Sequence, residues 1–298
     1  MPLSIPAPSV QVPIETLTQQ SFGAFGTVFG NPACASSNSN SGPQNLKYIL
    51  ANQGTALKYP NITQLTNFYD RSRSQKPSKP AITLFVCKPR ILRPVQTASS
   101  TAQAFNVDTL ERHPFTSQTF IPLGVPPSSS PSSTSKASQY LVIVAPSLPS
   151  TIRSKAREAL APYPNEKPKS TRARSIRDMF RSARPEPFTN SASGPDGLSM
   201  NAELHAVHRQ PVSSGMPDLT KLKAFIARGD QAVTYAAGVW HAPMAVLGID
   251  EVPFVVVQNV SGVAEEDCQE VELSADVGRG IVVVVEDEKD DQVLKAKL

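Results

Sequence analysis

Cysteine is scarce in this sequence of 298 residues: there are only three, Cys34, Cys87 and Cys268, and none belongs to a C-x-x-C pair. An odd number of widely separated cysteines indicates neither a disulfide framework nor a cysteine-based zinc site. We therefore expect the protein to work in a reducing compartment.

Long apolar runs are also lacking. No stretch approaches the roughly 18 consecutive apolar residues of a membrane span, and residues 1–6 have neither the basic nor the apolar part of a secretory leader. We expect a soluble protein without a membrane partner. The tripeptide Ala296-Lys297-Leu298 is close to the Ser-Lys-Leu peroxisomal address, which favours a peroxisomal location over the alternative, a cytoplasmic one.

Charged residues make up only 18% of the chain, and the net charge is +4. Residues 153–184 alone hold ten Lys or Arg against three Asp or Glu, a local charge of +7, so the rest of the chain carries −3. This basic segment has only two aromatic residues, Tyr163 and Phe180, and contains no folded nucleic-acid motif. It is typical of a solvated loop, and we do not expect nucleic acid as a partner.

Proline, in contrast, is abundant: 28 residues, nearly twice the usual share. Between residues 147 and 215, proline, serine and arginine replace hydrophobic periodicity, which predicts a disordered insertion. It would divide one domain into residues 1–146 and 216–276, followed by a C-terminal strand and charged tail at 277–298. The insertion contains His205 and His208, but no cluster of acids or cysteines surrounds them, so we do not expect a metal site there.

Short apolar segments bounded by turn residues predict strands in the rest of the chain. These segments are 22–30, 48–59 (two strands around a turn), 81–86, 105–110, 140–145, 232–235, 244–247, 254–258, 269–273 and 281–286. Apolar residues at helical spacing predict one amphipathic helix at Asp218–Arg228. Many strands, one helix and no alternation of strands with helices predict an all-β sandwich or barrel.

The densest group of reactive side chains is Glu111-Arg112-His113, followed after a bend by Gln118 and Phe120. Side chains of an extended chain alternate between two faces. Glu111 and His113 should therefore point one way and Arg112 the other, while Gln118 and Phe120 share a face.

A second polar segment, Gly238-Val239-Trp240-His241, contains the only tryptophan. We interpret the two segments as one site, in which the imidazole of His241 faces the earlier cluster.

Five segments of the chain occur in the order that is typical of one enzyme family. They are Glu111-Arg112-His113-Pro114, Ser117-Gln118-Thr119-Phe120-Ile121-Pro122, Pro217-Asp218-Leu219, Lys223-Ala224-Phe225 and Gly238-Val239-Trp240-His241. With them the chain resembles the ureidoglycolate lyases of allantoin degradation. The resemblance implies a cupin-like double-stranded β-helix, a jelly-roll barrel, and a homodimer. It also implies a carbon–nitrogen lyase that cleaves (S)-ureidoglycolate to glyoxylate and urea in purine catabolism.

The same resemblance extends to the metal-ligand positions of cupins, which fall on Glu111, His113, Gln118 and His241. A glutamine amide is a weak neutral ligand and only two imidazoles remain, so a divalent ion would be held more loosely than by three histidines. The resemblance leaves the use of a metal open.

Ureidoglycolate is a hemiaminal, so its cleavage requires removal of the hydroxyl proton and delivery of a proton to the leaving urea, without consumption of water. Histidine titrates closest to neutral pH and suits both tasks. We expect His241 and His113 to transfer protons and Gln118 to orient the ureido group. Alternatively, each imidazole satisfies a buried backbone group and Gln118 is an ordinary strand amide.

The substrate carboxylate requires a cation, and Arg112 or Lys58 could provide it. For Arg112 the alternative is a structural ion pair. Trp240 and Phe120 could form a wall that excludes water or could simply pack in the core. Asn52 could contact substrate or serve as a turn residue.

Two functions of another class remain open at this point. One is a non-catalytic cupin that binds a small carboxylic acid, and the other is a scaffold that acts through its basic insertion.

Overall fold

The structure, a computed structural model, describes residues 3–31, 47–96, 101–123, 139–148, 215–275 and 280–285. In these ranges the chain forms nineteen strands and two single-turn α-helices, which confirms the predicted all-β class. No helix in them is long and apolar enough to cross a membrane.

The elements before the insertion are short strands and turns. The strands are β1 (Leu3–Pro6), β2 (Val10–Val12), β3 (Ile14–Thr16), β4 (Gly26–Gly30), β5 (Ile49–Ala51), β6 (Ala56–Lys58), β7 (Lys79–Cys87), β8 (Arg93–Gln96), β9 (Thr101–Asn106), β10 (Thr109–Arg112), β11 (Gln118–Pro122) and β12 (Gln139–Ala145). Helix α1 spans Gln19–Phe22, and 3-10 turns lie at Asn52–Gly54 and Tyr69–Arg71.

The second part of the chain continues this pattern. The strands are β13 (Lys223–Arg228), β14 (Gln231–Tyr235), β15 (Trp240–His241), β16 (Ala245–Leu247), β17 (Val252–Val260), β18 (Gln269–Ser274) and β19 (Ile281–Val285). A 3-10 turn lies at Leu219–Lys221, and helix α2 spans Ala264–Asp267. Nineteen strands exceed the number predicted, because strands of two to four residues such as β15 are too short to show a periodic pattern.

The strands form three sheets and one separate hairpin, β5–β6. The central sheet has the order β1-β18-β10-β15-β12-β13-β3, with β16 also paired to β12. The second sheet has the order β4-β14-β11-β17-β7, and the third has the order β2-β19-β9-β8.

Strand β12 shows how these sheets are layered. Its even-numbered residues, Tyr140 to Val144, pack in a core with residues of the second sheet such as Phe254. Its odd-numbered residues, Leu141 to Ala145, pack in another core with residues of the third sheet such as Phe105. Strand β12 is therefore buried on both faces and is almost continuously apolar.

The segment Asp218–Arg228 is not the predicted amphipathic helix. Beyond the turn, it forms strand β13, which pairs with β12 over six residues and with β3 on its other side. Ala224 packs in the core facing the third sheet and Phe225 in the core facing the second. A strand that is buried on both faces carries apolar residues at many spacings, including the helical one, so the pattern was misleading.

Both ends of the predicted insertion meet in the structure. The backbone N–H of Leu148 donates to the carbonyl oxygen of Met216 at 2.8 Å, so the chain leaves and re-enters the fold at adjacent positions. The division into domains around 147–215 and the closed cupin barrel both stay predictions. The basic run 153–184, His205, His208 and the tripeptide at 296–298 lie outside the described residues.

Gly26 provides a test of how β4 is packed against β14. A Cβ atom added at residue 26 would lie 1.8 Å from the backbone oxygen of Thr234. The backbone of the Gly26→Ala variant must therefore shift. We expect this substitution to lower the free energy of unfolding in urea by about 3 kcal/mol. Gly54→Ala is the control, because its added methyl meets no atom within 4 Å and should cost about 1 kcal/mol. Equal losses for the two variants would contradict this packing.

Candidate active site

The candidate site lies between the central and second sheets. Strands β10 and β15 are antiparallel neighbours, and Glu111 is directly opposite His241. Residues directly opposite one another point to the same face of a sheet. Since the adjacent Leu110 and Trp240 pack in the core facing the third sheet, Glu111 and His241 face the second sheet.

The ring of His241 is contacted by oxygen atoms at both nitrogens. Its Nδ1 lies 3.0 Å from the carbonyl oxygen of Val239, and its Nε2 lies 3.2 Å from Gln118 Oε1 and 3.5 Å from Glu111 Oε1. The amide of Gln118 has a defined orientation because its Nε2 donates to Gln258 Oε1 at 2.9 Å. Acceptor oxygens therefore face both nitrogens of His241, and a ring with a proton on each nitrogen satisfies these contacts.

His113 presents a lone pair to the same site. Its Nδ1 lies 2.6 Å from the carbonyl oxygen of Asp267, which can only accept, so Nδ1 carries the proton and Nε2 does not. Nε2 is buried and has no hydrogen-bond partner among the described residues. Burial, together with the nearby His241, lowers the pKa of His113 to about 4, so the ring is neutral at neutral pH.

The carbonyl that holds His113 belongs to a tightly bound turn. The carboxylate of Asp267 accepts hydrogen bonds from Tyr69 Oη, from the backbone N–H of Ser261 and from that of Gly262, each at 2.7 Å. These donors hold the pKa of Asp267 below its ordinary value although burial opposes them. Asp267 thus positions His113 through its backbone while its side chain anchors the turn.

Glu111 is the acidic member of the site. Burial by itself would raise the pKa of Glu111, but the contact with His241 and the charges of the two histidines hold it below its ordinary value. Its other oxygen, Oε2, lies 3.9 Å from the thiol of Cys268. Burial raises the pKa of the Cys268 thiol to about 12, and nearby carboxylates contribute to this increase, Glu111 the most. The thiol therefore stays protonated.

Potential ligand atoms therefore converge from four side chains, with that of His241 available once the nitrogen has lost its proton. Glu111, His113 and His241 each offer one ligand atom, and these atoms lie within 4.8 Å of one another. Gln118 Oε1 is adjacent. The unpaired Nε2 of His113 and the mixture of imidazole and oxygen ligands fit a divalent cation such as Zn²⁺ or Mn²⁺.

Tyr235 is a member of the site that the sequence analysis missed. Its ring stacks on that of His241 with a centroid distance of 4.0 Å and an interplanar angle of 9°. The chain reaches from Tyr235 in the second sheet to His241 in the central sheet through a turn at Gly238, whose φ of 80° suits glycine. The N–H of this glycine donates to the carbonyl oxygen of His113 at 2.8 Å, which joins the turn to the early segment. From sequence, Tyr235 resembles an ordinary core residue at the end of a strand.

Two predicted substrate contacts lie on the opposite face of the central sheet. The guanidinium of Arg112 lies 4.6 Å from the ring centroid of Trp240, and its Nε donates to Gln269 Oε1 at 2.9 Å. Arg112 and Trp240 also both donate to the carbonyl oxygen of Gly215 at 3.0 Å. Alternation placed Arg112 away from Glu111, and the structure has this arrangement. Arg112 and Trp240 are both buried on the face opposite the cluster, and their contact with substrate stays a prediction.

The remaining predicted residues are near the site or on the separate hairpin. Phe120 is buried and packs edge to face against Tyr235, so it supports the site from the second sheet. Asn52 and Lys58 lie on the exposed hairpin β5–β6, where Asn52 has a φ of 49° in the turn. The turn role considered for Asn52 therefore agrees with its conformation.

Comparison with known proteins gives consistent matches along the chain. The family model described as ureidoglycolate lyase matches residues 9–278. The ureidoglycolate lyase of Schizosaccharomyces pombe is 28% identical over 255 residues, which cover 86% of this chain and 87% of that protein. That of Saccharomyces cerevisiae is 29% identical over 244 residues, 81% of this chain and 82% of that protein. The protein of the same name from Burkholderia mallei is 24% identical over 246 residues, with shares of 83% and 81%.

The low pKa of His113 makes stability depend on pH. Its pKa is about 4 in the folded protein, against an ordinary value of 6.5 for an exposed histidine, so the unfolded state binds the proton first as the pH falls. Stability that is fully present above about pH 6.5 is then lost as the pH falls towards 4. Between about pH 7.5 and 5.0, we expect the wild type to lose about 2 kcal/mol more unfolding free energy than His113→Gln. Urea denaturation in the presence of a chelator measures this difference, and parallel pH profiles would refute it.

Proposed function

Since the chain belongs to the ureidoglycolate lyase family, we propose that it cleaves ureidoglycolate to glyoxylate and urea. The observation that carries the proposal is the meeting of His241, His113, Glu111 and Gln118 in one buried cluster. These side chains come from two distant segments of the sequence, and together they offer both a proton donor and proton acceptors. The reaction requires one of each.

The proton balance of the reaction assigns roles to the two histidines. The hydroxyl proton of the substrate leaves as the carbon–nitrogen bond breaks, the hydroxyl carbon becomes the aldehyde of glyoxylate, and the urea nitrogen takes up a proton. Nε2 of His113 and the ionised Glu111 present lone pairs that receive the hydroxyl proton. His241, between acceptor oxygens on both sides, delivers the proton to urea.

Gln118 contributes to substrate orientation in this scheme. Its amide is held between Gln258 and His241, so its oxygen has a fixed direction. An amide oxygen can accept a hydrogen bond from the ureido N–H, and it would align the leaving group with His241. Lys58 stays our candidate for the substrate carboxylate.

A divalent ion fits the same cluster and would be held by Glu111, His113 and His241, with Gln118 as a further oxygen ligand. Such an ion would supply Lewis-acid polarisation of a substrate oxygen. The protein residues would still orient the substrate and keep bulk water away, since His113 and His241 are both more than nine-tenths buried.

We also propose that the protein is a homodimer joined through strand β7. This strand is at the edge of the second sheet, and Ile82, Leu84 and Val86 on its outer face are 74%, 62% and 51% exposed. Leu84 is opposite Val255 on the next strand, which is in turn opposite Ile121, so the apolar surface continues across the sheet. A long apolar edge strand of this kind is an interface or an aggregation site.

The charges at the two ends of β7 favour a second copy as the occupant. Lys79 begins the strand, and Glu251 is next to Val252, which pairs with Cys87 at the other end. Antiparallel pairing of two β7 strands about a twofold axis would bring Lys79 of each copy towards Glu251 of the other.

The catalytic proposal is tested by incubating the purified protein with ureidoglycolate and measuring urea and glyoxylate before and after chelation. We expect His241→Ala and His113→Ala each to lower kcat/KM by roughly 10²- to 10⁴-fold, because each removes a proton-transfer group. His208→Ala, a histidine substitution in the insertion, is the matched control and should retain full activity. Wild-type protein without turnover would instead favour an acid-binding cupin or a scaffold.

The dimer is tested by light scattering on purified protein. We expect Leu84→Lys to convert the dimer to a monomer, because two like charges would lie close together near the twofold axis. Ile249→Lys is the control, since Ile249 is 89% exposed but lies outside β7. A wild-type monomer, or a dimer that survives Leu84→Lys, would exclude this interface.

A further inference from the structure

The contacts of the His241 ring leave one rotation unrestrained unless an aromatic neighbour is included. Val239 O and the oxygens of Gln118 and Glu111 all contact the two ring nitrogens. Hydrogen bonds to these nitrogens lie near the ring plane and do not resist rotation about the line that joins Nδ1 and Nε2. Besides the covalent link at Cγ, contact with the ring faces is what limits this tilt.

Tyr235 covers one face of the His241 ring, with a centroid distance of 4.0 Å and an interplanar angle of 9°, whereas the ring of His113 lies at 5.7 Å and 36°. The second contact is longer and tilted, so the close parallel contact is that of Tyr235. We propose that Tyr235 is a positioning residue whose ring face fixes the plane of His241 for proton transfer. The inference rests on the proposed function and extends it to a residue that has no proton-transfer role.

The position of Tyr235 itself is strongly determined. It is directly opposite Gln118 on β11 and opposite Gly26 on β4, so strands on both sides hold its backbone. Its ring also packs against Phe22 and Phe120, each with a centroid distance of 6.1 Å. The second sheet thus supplies both the amide that contacts His241 at its edge and the ring that covers its face.

Two substitutions separate the ring of Tyr235 from its hydroxyl group. Tyr235→Phe keeps a flat face and should retain kcat within about twofold. Tyr235→Leu keeps an apolar side chain but loses the flat face, and we expect kcat to fall roughly 10- to 100-fold with KM changed much less.

Tyr140→Leu controls for the loss of a buried aromatic ring. Tyr140 is fully buried in the same core and packs against Phe254. We expect it to lower thermal stability about as much as Tyr235→Leu while kcat stays near that of the wild type. Equal kcat in the two leucine variants, or a loss in Tyr235→Phe as large as in Tyr235→Leu, would overturn the proposal.

A spectroscopic measurement tests the stacking without turnover. The chain has only four histidines, so the His241 Hε1 resonance can be assigned by its disappearance in His241→Gln. We expect the aromatic ring current to shift this resonance upfield in the wild type and in Tyr235→Phe, and the shift to vanish in Tyr235→Leu. An unshifted wild-type signal would refute the stacking, whereas a shifted signal in an inactive wild-type protein would refute only the proposed function.

Discussion

The pairing of Glu111 with His241 across two neighbouring strands is the constraint on which the site depends. Because side chains alternate along a strand, a slip of one residue would exchange the faces. Arg112 and Trp240 would then point towards the second sheet, and Glu111 and His241 into the other apolar core. The core facing the third sheet prevents this slip, since the apolar side chains of Leu110 and Trp240 already fill it. Packing of the core therefore determines the strand register, and the register brings the residues of the site together.

The electrostatics of the cluster follow from the same burial. Removing His113 from water favours its neutral form, and the backbone carbonyl of Asp267 determines which nitrogen keeps the proton. Glu111 stays ionised because the imidazoles outweigh its own desolvation. At neutral pH, lone pairs of Glu111, His113 and Gln118 therefore lie around a single ring, that of His241. Such an arrangement can accept protons or a cation, and the proposed cleavage of a hemiaminal would use the first capacity.

The sequence predicted those features that follow from local alternation. It separated Glu111 and His113 from Arg112. It also identified most of the longer strands, because an apolar run of four or more residues between turn residues is visible in the sequence. It failed for β13, where burial on both faces produced an apolar spacing that is also found in helices. It also missed Tyr235 and the backbone carbonyl of Asp267. A ring that stacks on a residue of another sheet has no recognisable spacing in the sequence. The same is true of a hydrogen bond made by a main-chain atom.

The adjacent exit and return of the chain at Leu148 and Met216 have a consequence for the evolution of this fold. When the two ends of a connecting segment are already hydrogen-bonded neighbours, each doubling of its length costs only about 0.6 kcal/mol in closure entropy. Gly215 also anchors the returning chain to Arg112 and Trp240, behind the strands that carry Glu111 and His241. We therefore expect insertions and deletions at this junction to leave the arrangement of Glu111 and His241 unchanged.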